Sequence, residues 1–201
     1  MAPANPELRE LIREMNRSRL AERFRKEKDG VLEASGEVFP SAILPVLACN
    51  KAGEERVFPM KWGFTQNGKL LINARTETAA EKPTFRESWQ KHRCVIPVSW
   101  YYEWEHDDNK KPGRKYVLQP KTGGLVMLAG LYRMEEEIPT FVILTRQAHE
   151  DLLWMHDRMP VVFSGKDAKM WIKPDTAPES IVRYCITDMT WKTADDDPKA
   201  G

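Results

Sequence analysis

An aliphatic and aromatic run at residues 93–104, RCVIPVSWYYEW, constrains the fold of this chain most strongly. β-Branched and aromatic residues favour a pleated, half-buried surface, so the run predicts one strand over residues 94–98 and another over residues 101–104, with a bend between them. The second strand carries one carboxylate, Glu103, among the aromatic rings. A Glu on an alternating strand usually points to solvent, because glutamate is seldom buried unpaired. The alternative is that Glu103 lies at the wall of a pocket.

Length and charge restrict the class of protein. A chain of 201 residues is most simply one domain, residues 1–201, and residues 194–201 are predicted to form a disordered polar tail. The 31 Lys and Arg nearly balance the 30 Asp and Glu, so a polyanionic partner would have to meet a local basic face. No apolar run approaches the ~20 residues that cross a bilayer, and the N-terminus has no signal-peptide pattern. We therefore expect a cytoplasmic protein without membrane association.

The cysteines and histidines do not indicate a disulfide framework or a metal site. The cysteines are odd in number and widely spaced: Cys49, Cys94 and Cys185. The histidines form no paired ligand spacing with them: His92, His106, His149 and His156. We therefore expect neither a metal ion nor another cofactor.

Strand patterns outnumber helix patterns along the chain. Asn5–Pro6–Glu7 is typical of a helix start, and Asn67–Gly68 predicts a hairpin between strands over residues 57–64 and 69–73. Further strands are predicted over residues 115–119, 125–132, 140–144, 161–163 and 182–186, and short helices over residues 83–91, 147–155 and 167–172. Because strands and helices do not alternate regularly, the pattern favours an α+β fold with a mixed, largely antiparallel, barrel-like sheet and flanking short helices.

Five short motifs in a fixed order resemble the SOS response-associated peptidase (SRAP) family. They are WGF at residues 62–64, NARTET at 73–78, RCVIP at 93–97, YEW at 102–104 and HDRMP at 156–160. Each motif alone is a weak signal, and a single histidine such as His156 is more often structural than catalytic. Five in the same order are specific. The resemblance covers about residues 37–172 of the chain.

The resemblance implies a β-barrel-like fold and a protein that recognises abasic sites in single-stranded DNA. Family members react covalently through an N-terminal cysteine exposed by removal of the initiator Met: its amine forms a Schiff base with the abasic aldehyde, and its thiol closes a thiazolidine ring. On this chain Asn73 would hold the reacting sugar, Glu103 would shuttle protons with an elevated carboxyl pKa, and His156 would open the sugar ring.

The resemblance also implies a DNA-binding surface. Trp62 would offer an apolar face near the bases, and Arg75 and Arg158 would clamp phosphates, with Arg86 near the same strand end. We expect a monomer in the bacterial cytoplasm that associates with the nucleoid when it is bound to DNA.

The chain departs from the family pattern at its start, where it reads Met1-Ala2-Pro3-Ala4 and the family has Met-Cys-Gly-Arg. We expect a truncated or misassigned start rather than a degenerate member, and a chain that does not crosslink. An alternative is a non-covalent single-stranded DNA-binding module. A reversible Schiff base with the amine of Ala2 is a further possibility. A general protease ranks low, because no Ser, His and Asp occur in a triad order.

Overall fold

The structure, a computed structural model, describes residues 5–27, 37–106 and 112–194. Its helices are α1 (Pro6–Asn16), α2 (Arg19–Glu27), α3 (Thr76–Ala79), α4 (Pro83–Lys91), α5 (Gly165–Trp171) and α6 (Pro178–Val182). Its strands are β1 (Ile43–Cys49), β2 (Glu55–Trp62), β3 (Phe64–Gln66), β4 (Lys69–Leu71), β5 (Asn73–Arg75), β6 (Arg93–Val98), β7 (Tyr101–His106), β8 (Pro112–Pro120), β9 (Val126–Glu135), β10 (Ile138–Gln147), β11 (Arg158–Pro160), β12 (Val162–Phe163) and β13 (Met189–Thr193).

Five of these strands close into a barrel. β10 pairs with β2, β2 with β1, β1 with β6, β6 with β9, and β9 with β10 again. Only the β10–β2 pairing in this ring is parallel. Closure pairs both edges of every strand in the ring, so the barrel itself offers no open sheet edge. The predicted α+β fold with a mixed, largely antiparallel, barrel-like sheet is confirmed.

Side chains fill the interior of the barrel. Alternate residues of its strands point inward, and among those that are almost fully buried are Val46, Met60, Cys94, Ile96 and Phe141. Gly130 of β9 shows how little space remains, because a Cβ atom there would lie 2.6 Å from Cδ1 of Ile96 and 2.9 Å from the carbonyl oxygen of Val142. The barrel is therefore a packed core without a channel.

Helices cover the outer surface of the barrel. α1, α4, α5 and α6 contribute buried apolar side chains to this second layer: Met15, Phe85, Trp89, Trp171 and Ile181. The described helices include none that is long and apolar enough to cross a bilayer.

Arg93, the first residue of β6, lies at the centre of this helical layer. Its side chain is 2% exposed and donates hydrogen bonds to five carbonyl oxygens. These belong to the ends of α4 and α5 and to the chain after α5: Trp89, Gln90, Trp171, Lys173 and Thr176. Helix C-termini leave carbonyls without intrahelical partners and carry partial negative charge, so one buried cation joins both helix ends to the barrel.

Several local predictions are confirmed. The side chain of Asn5 accepts a hydrogen bond from the backbone N–H of Glu7 at 2.9 Å and caps α1. Asn67 and Gly68 have φ angles of 50° and 73° and form the turn between β3 and β4. The helix predicted over residues 83–91 is α4.

Other local predictions are wrong. Residues 182–186 do not form a strand: Pro178 begins α6, which ends at Val182 and buries Ile181 in the core. Residues 147–155 form only a 3-10 turn at Glu150–Leu152, because β10 continues to Gln147. Of the predicted polar tail, Ala194 is a buried residue, and residues 195–201 lie outside the described residues.

A second sheet, formed by β7, β8 and β13, lies beside the barrel. Tyr101 is opposite Leu118 and Glu103 is opposite Tyr116, so these four side chains share one face. Tyr101, Tyr116 and Leu118 on that face pack in a cluster that also contains Met155, from the segment between β10 and β11. Glu103 is thus turned toward the segment that carries the HDRMP motif.

Candidate nucleic-acid site

Strand β10 brings two of the sequence motifs together, because it extends beyond the barrel. On one side, β5 runs parallel to it, with Asn73 beside Ile143 and Arg75 beside Thr145. On the other side, β11 runs antiparallel to it, with Pro160 beside Thr145. The NARTET and HDRMP motifs therefore flank one short segment of β10, Ile143–Gln147, and both pair with Thr145.

Trp62, Asn73 and Arg75 form a row along one side of β10. Trp62 is beside Phe141, its ring stacks on the Phe141 ring at 6.4 Å, and its indole N–H donates to the carbonyl oxygen of Ile72 at 3.0 Å. Asn73 and Arg75 are exposed, whereas Ala74 between them is buried. The row places an aromatic ring, an amide and a cation on one open surface.

The two other predicted DNA-binding arginines differ in their surroundings. Arg86 is an exposed residue of α4 and is not part of this row. The Arg158 guanidinium donates to both oxygens of Glu77, at 2.6 and 2.9 Å, and to the carbonyl oxygen of Thr145 at 2.7 Å. These hydrogen bonds lower the pKa of Glu77 to about 2. Arg158 therefore ties the start of α3 to β10 and β11, and a phosphate contact there remains a prediction.

His156 is held in a defined orientation. Its Nδ1 lies 2.8 Å from the backbone nitrogen of Arg158, 3.1 Å from the carbonyl oxygen of Arg158 and 3.2 Å from Oδ1 of Asp157, so this nitrogen is engaged within its own loop. The ring of His106 lies against it, with centroids 4.5 Å apart, and the backbone N–H of His106 donates to the carbonyl oxygen of Met155 at 3.0 Å. His156 thus has one nitrogen, Nε2, available for proton exchange with a ligand.

Glu103 is a largely buried carboxyl group. Its pKa is raised to about 7: burial is the main cause, a 3.3 Å hydrogen bond from the N–H of Trp104 acts in the opposite direction, and the nearby charge of Asp157 adds a smaller increase. The predicted elevated pKa is therefore supported, and Glu103 does not simply point to solvent. A carboxyl group with a pKa near neutrality can both donate and accept a proton under ordinary conditions.

Tyr101 lies on the same face as Glu103, two residues earlier in β7. Its hydroxyl is buried and has no hydrogen-bond partner among the described residues. Burial raises the pKa of Tyr101, and the charge of Glu103 adds to the increase. A buried hydroxyl without a partner is unusual, so Tyr101 is a candidate donor to a ligand beside Glu103.

Sequence reasoning missed three neighbours of the site: Glu77, Tyr101 and His106. Glu77 lies inside the NARTET motif, but its pairing with Arg158 spans 81 residues of sequence. His106 follows Glu103 on the same strand, but its contact with His156 depends on where β7 ends. The only available signal was the proximity of Tyr101 and His106 to Glu103 in the sequence.

The cysteines do not join this site in the described structure. All three are free thiols. Cys94 lies inside the barrel, where burial raises its pKa well above the ordinary range for a thiol. Within residues 5–27, 37–106 and 112–194, no three His, Cys, Asp or Glu side chains are close enough together to hold a metal ion.

The fold and the site define a class: an α+β protein with a closed five-stranded barrel and a carboxyl group of raised pKa beside it. Residues 9–195 match the family described as SOS response associated peptidase (SRAP), and the chain belongs to this family. The predicted family is confirmed.

Curated relatives share sequence with this chain, and a solved structure shares its fold. The abasic site processing protein YobE of Bacillus subtilis is 34% identical over 161 residues, which are 73% of this chain and 71% of that protein. The abasic site processing protein YedK of Escherichia coli is 29% identical over 124 residues, 58% of this chain and 55% of that protein. A solved protein from Bacteroides thetaiotaomicron shares the fold with a TM-score of 0.69 at 20% identity, covering 96% of this chain and 89% of that one.

Proposed function

We propose that this chain recognises abasic sites in single-stranded DNA and holds the baseless sugar between Asn73, Glu103 and His156. The observation that carries the proposal is the carboxyl group of Glu103, whose pKa is raised to about 7 next to the segment that positions His156. The names of the relatives, which are abasic site processing proteins, support the same substrate.

The proposed chemistry is the opening of the closed abasic sugar to its aldehyde. This step moves a proton from the sugar hydroxyl to the ring oxygen, so it needs one group that accepts a proton and one that donates it. Nε2 of His156 exchanges one of these protons, because Nδ1 is occupied by the N–H of Arg158. Glu103 exchanges the other, and the amide of Asn73 orients the sugar hydroxyls.

The proposed DNA path follows the row on β10. Arg75 and Arg86 are exposed and form no ion pair with any described residue, so both are available for phosphates. Trp62 offers a ring to a neighbouring base. A single strand is the preferred partner, because a sugar at this site has to be removed from a stacked duplex first. The protein acts as a monomer in the bacterial cytoplasm and is nucleoid-associated when bound.

Thiazolidine formation needs an amine and a thiol on one residue. Cys49, Cys94 and Cys185 are internal residues, so we expect the 201-residue chain to bind abasic DNA without forming this ring. The same chain preceded by Met-Cys-Gly-Arg is expected to give an adduct that survives denaturation, as the family pattern implies. Borohydride would trap a Schiff base at the amine of Ala2, and no trapped band would exclude that reaction.

The first prediction concerns lesion preference. We expect the wild-type chain to bind a fluorescent single strand with one abasic site about 10-fold more tightly than the intact strand, which corresponds to ~1.4 kcal/mol. The isosteric variant Glu103→Gln should lose most of this preference, because it can no longer release a proton to or take one from the sugar. Equal affinities for both strands, with steep salt dependence, would instead support a non-covalent single-stranded DNA-binding module.

The second prediction concerns Arg75. We expect Arg75→Ala to weaken binding of both strands and to lower the salt slope of log affinity by about 0.7, the value for one phosphate contact on a single strand. Arg56→Ala is the control. Arg56 is an exposed residue at the start of β2, at the opposite end of that strand from Trp62, and it pairs with Glu54. An unchanged slope for Arg75→Ala would show that Arg75 contacts no phosphate.

A further inference from the structure

Two tryptophans from separate parts of the chain form an exposed surface, the tryptophan ledge (Trp154 and Trp191). Trp154 follows the 3-10 turn and is 44% exposed, and Trp191 lies on β13 and is 42% exposed. Their ring centroids are 5.9 Å apart. Neither indole N–H is hydrogen-bonded to a described residue. Large aromatic side chains that touch each other and remain open to solvent indicate a binding surface.

The ledge is held rigidly from beneath. The buried ring of Tyr116 meets Trp154 edge-on at 5.2 Å. Trp191 is directly opposite Leu118, which belongs with Met155 to the buried cluster under this sheet. Because the underlying residues are packed, the two indole rings are presented to a ligand with little loss of side-chain freedom.

The ledge is continuous with the proposed abasic site. Tyr116, which supports Trp154, is the cross-strand partner of Glu103. Adjacent strands lie ~4.8 Å apart, so the ledge begins one strand away from the carboxyl group. Trp154 also precedes His156 by two residues. A single strand with its baseless sugar at Glu103 therefore has neighbouring nucleotides within reach of the ledge.

The charge near the ledge argues against phosphate as its ligand. Glu150 and Asp151 lie in the turn just before Trp154, and Lys121 is paired with Asp188. The surface therefore has no excess of positive charge to attract the DNA backbone. An abasic site, however, leaves its flanking bases without a stacking neighbour, so their faces are open to an aromatic ring.

We propose that the tryptophan ledge stacks against the bases that flank the abasic nucleotide on one side. The inference rests on the proposed function and extends it to the neighbouring nucleotides. Stacking on an aromatic side chain tolerates any base, so the ledge adds affinity without sequence preference.

Alanine variants of the ledge test this proposal. Trp154→Ala and Trp191→Ala are each expected to weaken binding of an abasic single strand about 10-fold, because each variant loses one stacking surface, and to leave the salt slope unchanged. Trp154→Phe should keep most of the affinity. Tyr184→Ala is the control, because Tyr184 is a 54% exposed aromatic residue outside the ledge, and its ring contacts the neighbouring Arg183. Thermal unfolding checks that each variant is folded.

Oligonucleotide design adds a second readout. Two single strands are compared, one with the abasic nucleotide at its 5′ end and one with the abasic nucleotide at its 3′ end. The tryptophan variants should weaken binding of only one of them, because the ledge lies on one side of Glu103. An effect on both strands, or on neither, would overturn the proposal.

The failures of the two proposals are distinguishable. If the wild-type chain prefers abasic DNA and the Trp154→Ala/Trp191→Ala double variant keeps wild-type affinity, the ledge is overturned and the proposed function stands. If the wild-type chain shows no lesion preference, the proposed function fails whatever the variants do. If light scattering shows a dimer that the double variant abolishes, a second copy of the chain occupies the ledge and the stacking proposal is overturned.

Discussion

Replacement of Arg93 by leucine is expected to lower the free energy of unfolding by about 4 kcal/mol, in the range found when one partner of a buried charge network is removed. The change removes the donor from five carbonyl oxygens, which lie at the ends of α4 and α5 and in the chain after α5. Leucine would fill part of the space but cannot hydrogen-bond, so the carbonyls of the buried residues Trp89 and Trp171 would lose this donor in a place that water does not readily reach. Urea denaturation followed by circular dichroism measures the loss.

Two further variants separate charge from geometry at this position. Arg93→Lys keeps a cation but has one nitrogen with three donors, so we expect it to recover only about half of the loss. Arg56→Leu changes an exposed arginine and should alter stability by less than about 0.5 kcal/mol. An Arg93→Leu protein within about 1 kcal/mol of wild type would mean that water replaces the guanidinium at the helix ends.

The second large expected effect is an increase in the free energy of unfolding when Glu103 is replaced by glutamine. We expect Glu103→Gln to be more stable than wild type by about 2–3 kcal/mol at pH 8.5 and nearly equal to it at pH 4. The pKa of Glu103 in the folded protein is about 7, against an ordinary value of 4.5. Below pH 4.5 the carboxyl group is protonated in both the folded and the unfolded states. Between pH 4.5 and 7 the unfolded chain loses the proton first, so the wild-type protein loses stability.

Denaturation curves at several pH values give the result directly. The difference between wild type and Glu103→Gln should grow from pH 4.5 to 7 and then remain constant. Glu54→Gln serves as the control, because Glu54 is an exposed carboxylate and its replacement should have a small effect at every pH. A variant that is less stable than wild type at pH 8.5 would show that the charged carboxyl group is favourably solvated in the folded protein. Stabilisation together with loss of lesion preference would indicate that the carboxyl group is retained for function.

Local chemistry could be predicted from the sequence because it depends on neighbouring residues. The cap at Asn5, the Asn67–Gly68 turn and the two strands on either side of Ser99 and Trp100 follow from residue preferences within a few positions. The many short strand patterns, which do not alternate regularly with helices, also predicted a barrel-like sheet. The strand predicted over residues 182–186 is wrong because the apolar residues there suit a strand as well as a short helix. Pro178 favours the start of a helix, and α6 forms instead.

Contacts between distant segments could not be predicted in this way. The ring of strands closes through the parallel pairing of β10 with β2, which are about 80 residues apart in sequence. Arg93 was visible as a charge at the start of an apolar run, but its carbonyl partners come from two other parts of the chain. His106 meets His156 only because β7 ends beside the turn that precedes β11.

Strand β10 has a consequence for how chains of this kind can vary in length. It aligns β5 on one side and β11 on the other, so Asn73 and Arg158 are kept in register by the residues between Ile143 and Gln147. One inserted residue there would turn every following side chain to the opposite face and shift β11 by ~3.3 Å relative to β5. Insertions and deletions that preserve the site should therefore fall in loops such as residues 121–125 and avoid this segment of β10.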